Sequence, residues 1–262
     1  MFVMRMLCRR KVVQMENRQV VEQVRESRWD ARRGAWIGVL PRLMAVSVLV
    51  VAVAGMRPVT SVAAGRVTVC GGGCDYGSIE AAVAGISTGG MIDILDAEHT
   101  ESGILVDKDV TIAGLGASDT IVQAHATRGA AAQRVFEIAA GAEVTIRDVT
   151  VRHGNVSGGS PQGGGILSRG TLTLERVAVR ANDAAGVSGT FGGTARGGGV
   201  YSDGDLLVVD STINANSAEG GAGDSVGGDG EGGGLFAGGG SARLLNVTIS
   251  GNGVRKGNAC GG

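Results

Sequence analysis

GGGILSRGTLTLERVAVRAN (residues 163–182), GGGVYSDGDLLVVDSTINAN (197–216) and GGGLFAGGGSARLLNVTISGN (232–252) align with one another at their cores, the third carrying one extra residue. Ile166 lies 34 residues before Val200, and Val200 lies 35 before Leu235. A less regular copy, VTIRDVTVRHGN (144–155), precedes them, and Val110-Thr-Ile112 stands another 34 residues upstream of Val144-Thr-Ile146. Repetition at this period marks a stacked architecture, in which each unit buries its apolar face against the next. Within a unit the alternation has period two: Leu172-Thr-Leu174 reads in-out-in, and Val177-Ala-Val179 repeats it after a break. The elements are strands of about three residues rather than helices. Such strands cannot stand alone, and parallel stacking at roughly 4.8 Å per layer makes them a parallel β-helix.

The inward columns follow from the alignment. They are Ile166, Val200, Leu235; Val110, Val144, Leu172, Leu206, Ala242; Ile112, Ile146, Leu174, Val208, Leu244; and Val151, Val179, Ile213, Ile249. β-Branched and aliphatic residues dominate them, as in strands buried in parallel sheets. Asn155, Asn182, Asn216 and Asn252 each close a unit, where asparagine tolerates left-handed backbone and bonds locally. In register they form an amide ladder. Residues 75–86 break the pattern. Ile79, Ala82, Val83 and Ile86 share a helical face, Ser78 is placed to cap its start and Gly85 lies near its end. This helix is expected to cover the open first layer of the stack.

Composition agrees. Glycine supplies 48 of 262 residues and proline 3, without the every-third-residue rule of collagen. Hydrophobic residues make up 43%, too many for a disordered chain. Residues 1–64 hold 11 of the 24 Lys+Arg and 4 of the 25 Asp+Glu, which leaves 13 basic and 21 acidic side chains in 65–262, a net of −8. No basic patch survives there, so nucleic acid is not an expected partner. The stretch Met44–Ala54, MAVSVLVVAVA, is apolar and follows Arg32, Arg33 and Arg42; small residues come after it, ending in Val62-Ala63-Ala64. It reads as a secretory signal, too short for a spanning helix. The domain plan is a leader over 1–64, with its hydrophobic core at 44–54, and a β-helix over 65–262. Membrane attachment is expected only through the export signal or a downstream anchor. The final GNACGG stops where another coil should begin, so further coils and a partner for Cys260 are expected downstream.

Cys70 and Cys74 flank three glycines in the exported part, and a disulfide is the reading for them. A loop this small contributes about 2 kcal/mol in the chain-entropy account.

At this point a resemblance is plain. VTVCGGGCDYGSIEAAV (67–83), followed by VDKDVTIAGLG (106–116), looks like the start of pectate-lyase-like right-handed β-helix proteins. The units of Gly-Gly-Gly, strand, strand and Asn resemble repeats of bacterial polymorphic outer-membrane proteins. The resemblance covers most of the chain and implies an all-β, right-handed parallel β-helix with a short N-terminal capping helix. It leaves function open between surface binding and polysaccharide cleavage.

The residues bear on that choice. Arg147, Asp148, Arg152, His153, Arg180, Asp183 and Asp210 are the candidates for glycosidic chemistry, yet Arg152 and Arg180 are followed in register by Asn214 and Ser250, which breaks a catalytic column. No catalytic residue is assigned. Excursions at 156–162, 183–196 and 217–231 leave the stack from one corner; rich in Gly, Ser, Ala and Asp, they read as solvated spacer or as binding loops, spacer being the simpler reading. Asp224, Asp229 and Glu231 would carry a calcium ion if one bound, but the glycine-rich acidic unit is not iterated, so no metal or other cofactor is expected. Leu167, Tyr201 and Phe236 fall in one register directly after the inward Ile166, Val200 and Leu235, and should form an outward apolar ridge, either a contact strip or a strip covered by the flanking loops. The expected function is a non-catalytic exported protein that binds a surface protein or polysaccharide of a host or neighbouring cell, or serves as a structural passenger. The alternative is a lyase or hydrolase of polysaccharides.

Overall fold

The computed structural model describes residues 65–259. The leader, with its hydrophobic segment and Cys8, and Cys260 at the other end lie outside them. Among the described residues there are 26 strands and one helix, and the named strand pairs are parallel throughout. The molecule is a parallel β-helix, as the repeats require.

Sheet 1 is the longest, with seven strands: Arg66–Val69, Gly90–Ile94, Val110–Ala113, Glu143–Arg147, Thr171–Glu175, Leu206–Val209 and Ala242–Leu245. Sheet 2 runs from Glu98–Thr100 through Ile121–Gln123, Thr150–Arg152, Ala178–Arg180 and Thr212–Asn214 to Thr248–Ser250. Sheet 3 holds Ile104–Val106, Phe136–Ile138, Ile166–Ser168, Val200–Ser202 and Leu235–Ala237. The pairing registers reproduce all four inward columns, including Val110↔Val144, Leu172↔Leu206 and Ile213↔Ile249. Ile92, Ile112, Ile146, Leu174 and Val208 are sealed from solvent in the core. Each such side chain stabilises the stack by roughly 1.5–3 kcal/mol over an exposed position.

The helix Ile79–Gly85 lies at the N-terminal end and buries Ile79, Ala82 and Val83. Ser78 accepts from the Ala81 amide as its N-cap. Glu101, from the turn after Glu98–Thr100, accepts from the Ile79 and Glu80 amides at 2.7 and 3.0 Å. His99, itself buried, bridges Glu101 (2.9 Å) and Asp96 (3.2 Å), and Asp96 also accepts from the Gly71 amide. Cys70 and Cys74 are disulfide-bonded beside this cluster, so helix, disulfide loop and first coils are tied together at one imidazole.

The asparagine ladder holds for three of its four members. Asn182 Nδ2 and its backbone N–H both donate to Asn216 Oδ1, and Asn216 does the same to Asn252 Oδ1, each at 3.0 Å. Asn155 is a correction. It pairs in register with Asp183, and it is Gly154 whose N–H donates to Asn182 Oδ1. The two coils pair residue for residue through this corner, and the asparagine stands one position later: four positions separate Val151 from Asn155, against three from Val179 to Asn182, so Gly154 takes the ladder position. Asn155 instead fastens the preceding loop, donating to the Gly129 and Ala131 carbonyls. The left-handed residue at this corner is also not the asparagine but its predecessor: Ala181 and Ala215 have φ of 54° and 55°.

The excursions are not spacer. They begin as a fourth sheet, Asn155–Gly158, Asp183–Gly186, Ser217–Glu219 and Gly253–Arg255, and then fold back through short pairs, Gly189–Phe191 with Gly223–Val226 and Ala195–Arg196 with Gly230–Glu231. Val156, Ala184, Ala195 and Ala218 form a small separate core at their base. Farther out the packing is backbone on backbone. One hydrogen-bond chain crosses every arm: Val187 N to Gly158 O, Gly193 N to Val187 O, Gly221 N to Gly193 O, Gly228 N to Gly221 O and Gly257 N to Gly228 O, all at 2.8–2.9 Å. The excursions thus make a flat fin along the rod. Glycine is required because the arms approach too closely for side chains: a Cβ on Gly221 would lie 2.0 Å from the Val187 carbonyl oxygen.

Candidate functional site

The fin stands as a wall beside the outer face of sheet 3, and a cleft lies between them. Its floor is the outward column of sheet 3: Leu105, Glu137, Leu167, Tyr201 and Phe236 in successive coils. The sequence alignment placed the last three together and the structure does so too, but not as an open ridge. Leu167 is 1% and Tyr201 5% exposed. The first glycine of each triplet explains the closure. Gly163, Gly197 and Gly232 have φ of +58 to +65°, and each turns the chain over the residue four positions on; a Cβ there would come within 2.9 Å of Leu167, Tyr201 or Phe236. Tyr201 and Phe236 stack at 5.4 Å with planes 5° apart, Arg196 of the fin lies over the Phe236 ring, and Glu231 accepts from Arg196 at 2.6 Å. Tyr201 donates its hydroxyl to Asp203, and burial together with that bond pushes the phenol up. The lower cleft is therefore filled by its own side chains.

The upper end stays open as a groove of about 560 Å³. Glu137 stands in its floor above Leu167, and two arginines share that carboxylate: Arg134 Nη1 and Arg169 Nη1, each at 2.5 Å. Arg134 is mostly buried, gives Nη2 to the Gln162 carbonyl, and has a buried Nε with no acceptor among the described residues. Burial pulls the Arg134 guanidinium down, against the pull of Glu137, and Arg169 adds to the lowering. Burial acts to raise Glu137, but the Arg169 hydrogen bond and the Arg134 charge hold its carboxyl below the ordinary range. Two cations on one anion leave the groove with surplus positive charge, in a β-helix whose net charge over 65–262 is −8. Ser157, Ser160 and Gln133 supply polar groups around the rim. Sequence reading missed this site because Arg134 and Glu137 lie in a non-repeating coil, with no counterpart pattern to flag them.

The other sequence candidates are dispersed. Asp148 sits at the corner between sheets 1 and 2, gripped by Arg176 at 2.6 and 2.9 Å, which leads the influences holding its carboxyl low; Arg147 reaches it at 3.4 Å, and Asp210 two coils on accepts from Asn246. Arg152 extends along sheet 2 to Gln123 and Glu98. Arg180 follows it in register, with Asn214 and Ser250 after. His153, in left-handed backbone, contacts the His125 carbonyl, and burial lowers its pKa. Asp183 is held by Arg128 from the loop above. Asp229 pairs with Lys256 at 3.0 Å and Glu231 with Arg196, while Asp224 is exposed on its own arm. Among the described residues no three His, Cys, Asp or Glu side chains come together to hold a metal.

No family model matches this sequence, and no curated protein matches it either. The groove is thus assigned from its own chemistry.

Proposed function

We propose that this is an exported β-helix protein, displayed at a cell surface or secreted, that binds a partner along its cleft without altering it. The resemblance of its N-terminal segment to pectate-lyase-like right-handed β-helices, and of its glycine-triplet units to polymorphic outer-membrane repeats, supports the placement. So do the apolar segment at 44–54 and the Cys70–Cys74 disulfide, a bond that persists in oxidising compartments. The observation that carries the binding reading is the state of Glu137. A general acid for glycosidic cleavage needs a carboxyl raised toward neutrality. Glu137 is instead clamped between two guanidinium groups and held ionised, which suits orienting an arginine.

Two measurements on the full chain test this. Expressed with an epitope tag in a Gram-negative host, the protein is expected to lose residues of the leader and to be accessible to antibody on intact cells or in the medium. The purified protein is expected to retain labelled cells in a binding assay and to release no reducing ends or unsaturated products from polygalacturonate. Retention in the cytoplasm, or turnover of the polysaccharide, would overturn the reading.

A further inference from the structure

The fourth sheet does not line the whole rod: its first strand follows the third strand of sheet 2. Sheet 1 has seven strands, sheet 2 six and sheet 3 five, whereas sheet 4 starts at Asn155–Gly158. Beyond that strand the chain at 124–135 runs as a loop, tied to it by Asn155 N–H to the Gln133 carbonyl at 3.1 Å and by the Asn155 side chain. The tie reaches no farther than Asn155. In a parallel strand, successive residues direct their backbone groups to opposite edges. Gly154 and Gly158 accept from Asp183 and Val187 on the sheet side, and Asn155 donates to the other. Ser157, exposed and two residues on, therefore turns its N–H and C=O toward the outer edge, into the groove.

The groove thus joins a short open strand edge to an oriented cation. Arg169 spends one nitrogen, Nη1, on Glu137, and its side chain is 46% exposed. Glu137 is already neutralised by the buried Arg134, so the Arg169 charge is left over, with its planar fork fixed in direction. Charge-assisted pairing to a carboxylate is the strongest interaction such a fork makes. Sugar rings usually require an aromatic face, and the lining of this groove has none.

Building on the binding role proposed above, we propose that the groove takes an extended acidic peptide segment of a partner protein. Its backbone pairs with Ser157 as an added strand, and a Glu or Asp side chain seats on Arg169. Strand addition supplies affinity through backbone bonds, and the carboxylate supplies selectivity.

The test uses the full chain and a fluorescein-labelled, end-blocked peptide, Thr-Val-Glu-Val-Thr, read by fluorescence anisotropy. Replacing the peptide's Glu with Gln is expected to weaken binding about tenfold, and N-methylating its central amides to do the same. Arg169→Gln should bring the Glu and Gln peptides to equal affinity. Arg169 is half-exposed and at the surface, and an unchanged thermal transition of the variant would show that the fold is intact. Equal binding of Glu and Gln peptides by the unsubstituted protein, no effect of N-methylation, or binding of trigalacturonate in place of peptide would each overturn the assignment. If the unsubstituted protein retains cells but does not bind the peptide, the groove assignment falls and the adhesive role stands. If the unsubstituted protein retains no cells yet binds the peptide, the reverse holds.

Discussion

Asn216 Oδ1 accepts two hydrogen bonds from Asn182, one from the backbone N–H and one from Nδ2, both at 3.0 Å and both away from solvent. Asn216 Nδ2 in turn donates to the Val179 carbonyl at 3.0 Å. One amide side chain therefore satisfies the corner of the coil above and ties it to Asn252 in the coil below. Asn216→Ala strands the Asn182 amide and the Val179 carbonyl together. Each buried unsatisfied group costs about 1–3 kcal/mol, so a loss of about 3 kcal/mol is expected in urea unfolding. Asn252→Ala, at a half-exposed position, should cost about 1 kcal/mol. Equal losses for the two would show that burial does not set the strength of the ladder.

The residues before these asparagines carry strain. Ala181 and Ala215 hold φ of 54° and 55°, a region that costs an L-residue roughly 1–2 kcal/mol. Glycine removes that cost and returns roughly 0.5–1 kcal/mol as extra freedom of the unfolded chain. Ala215→Gly is thus expected to stabilise by about 0.5–1 kcal/mol. Ala184→Gly, in a buried strand position, should destabilise by about 1 kcal/mol. Thermal melts of the two variants should move in opposite directions.

The contrast between Leu174 and Leu167 shows how far sequence carries. Leu174 belongs to a column repeated in five coils, and period-two alternation was enough to place it in the core. Leu167 alternates outward as expected, yet is equally buried, because a second layer covers it. That layer is the fin, and its signal is weak in sequence. Strand patterns are recognised by apolar side chains, whereas the fin holds itself together through glycine backbones that carry none. The misplacement of Asn155 has a simpler origin, since residue type was aligned where spacing decides. Arg134 and Glu137 were invisible for a third reason: the site is made where the repeat is interrupted.

The cluster under the capping helix makes its stability depend on pH. The hydrogen bond to Glu101 leads the influences raising the His99 pKa; burial opposes it and Asp96 adds to it. A raised folded value means the contribution is whole below the unfolded value of about 6.5 and is lost as pH rises through the folded one. Burial acts to raise Glu101, but the bonds from His99, Glu80 and Ile79 outweigh it and the net shift is downward. Its contribution is present above about pH 4.3 and is lost as pH falls through the depressed folded value. The helix should be held most firmly between about pH 4.5 and 6.5. Hydrogen exchange at the Ile79 and Glu80 amides is the measurement, after correction for the intrinsic rate. Protection should fall above neutrality, and His99→Gln should flatten the profile on that side. A flat profile in the unsubstituted protein would separate the imidazole from the cap.

Gly221 tests whether the fin is a cooperative part of the binding cleft. Its N–H donates to Gly193 O at 2.8 Å, its carbonyl accepts from Gly228, and the Val187 and Gly186 carbonyls close the space where a side chain would go. None of these neighbours is the far end of a flexible side chain, so the methyl of Gly221→Ala has nowhere to move without parting the arms. The main hydrophobic core is a cluster separate from the small one at the base of the fin and does not depend on this contact. The substitution is expected to remove exchange protection at the Gly193, Gly221, Gly228 and Gly257 amides together, while Ile146 and Leu174 keep theirs. Parting the arms also draws Ala195–Arg196 and Gly230–Glu231 away from the stacked Tyr201 and Phe236. Tyr201 should then become open to a water-soluble quencher of tyrosine fluorescence. Asp224→Ala, an exposed change on the same arm, should alter neither readout. Loss of protection at Gly221 alone would show that the arms open independently, and the lower cleft would then be closed by the Tyr201–Phe236 stack without help from the fin.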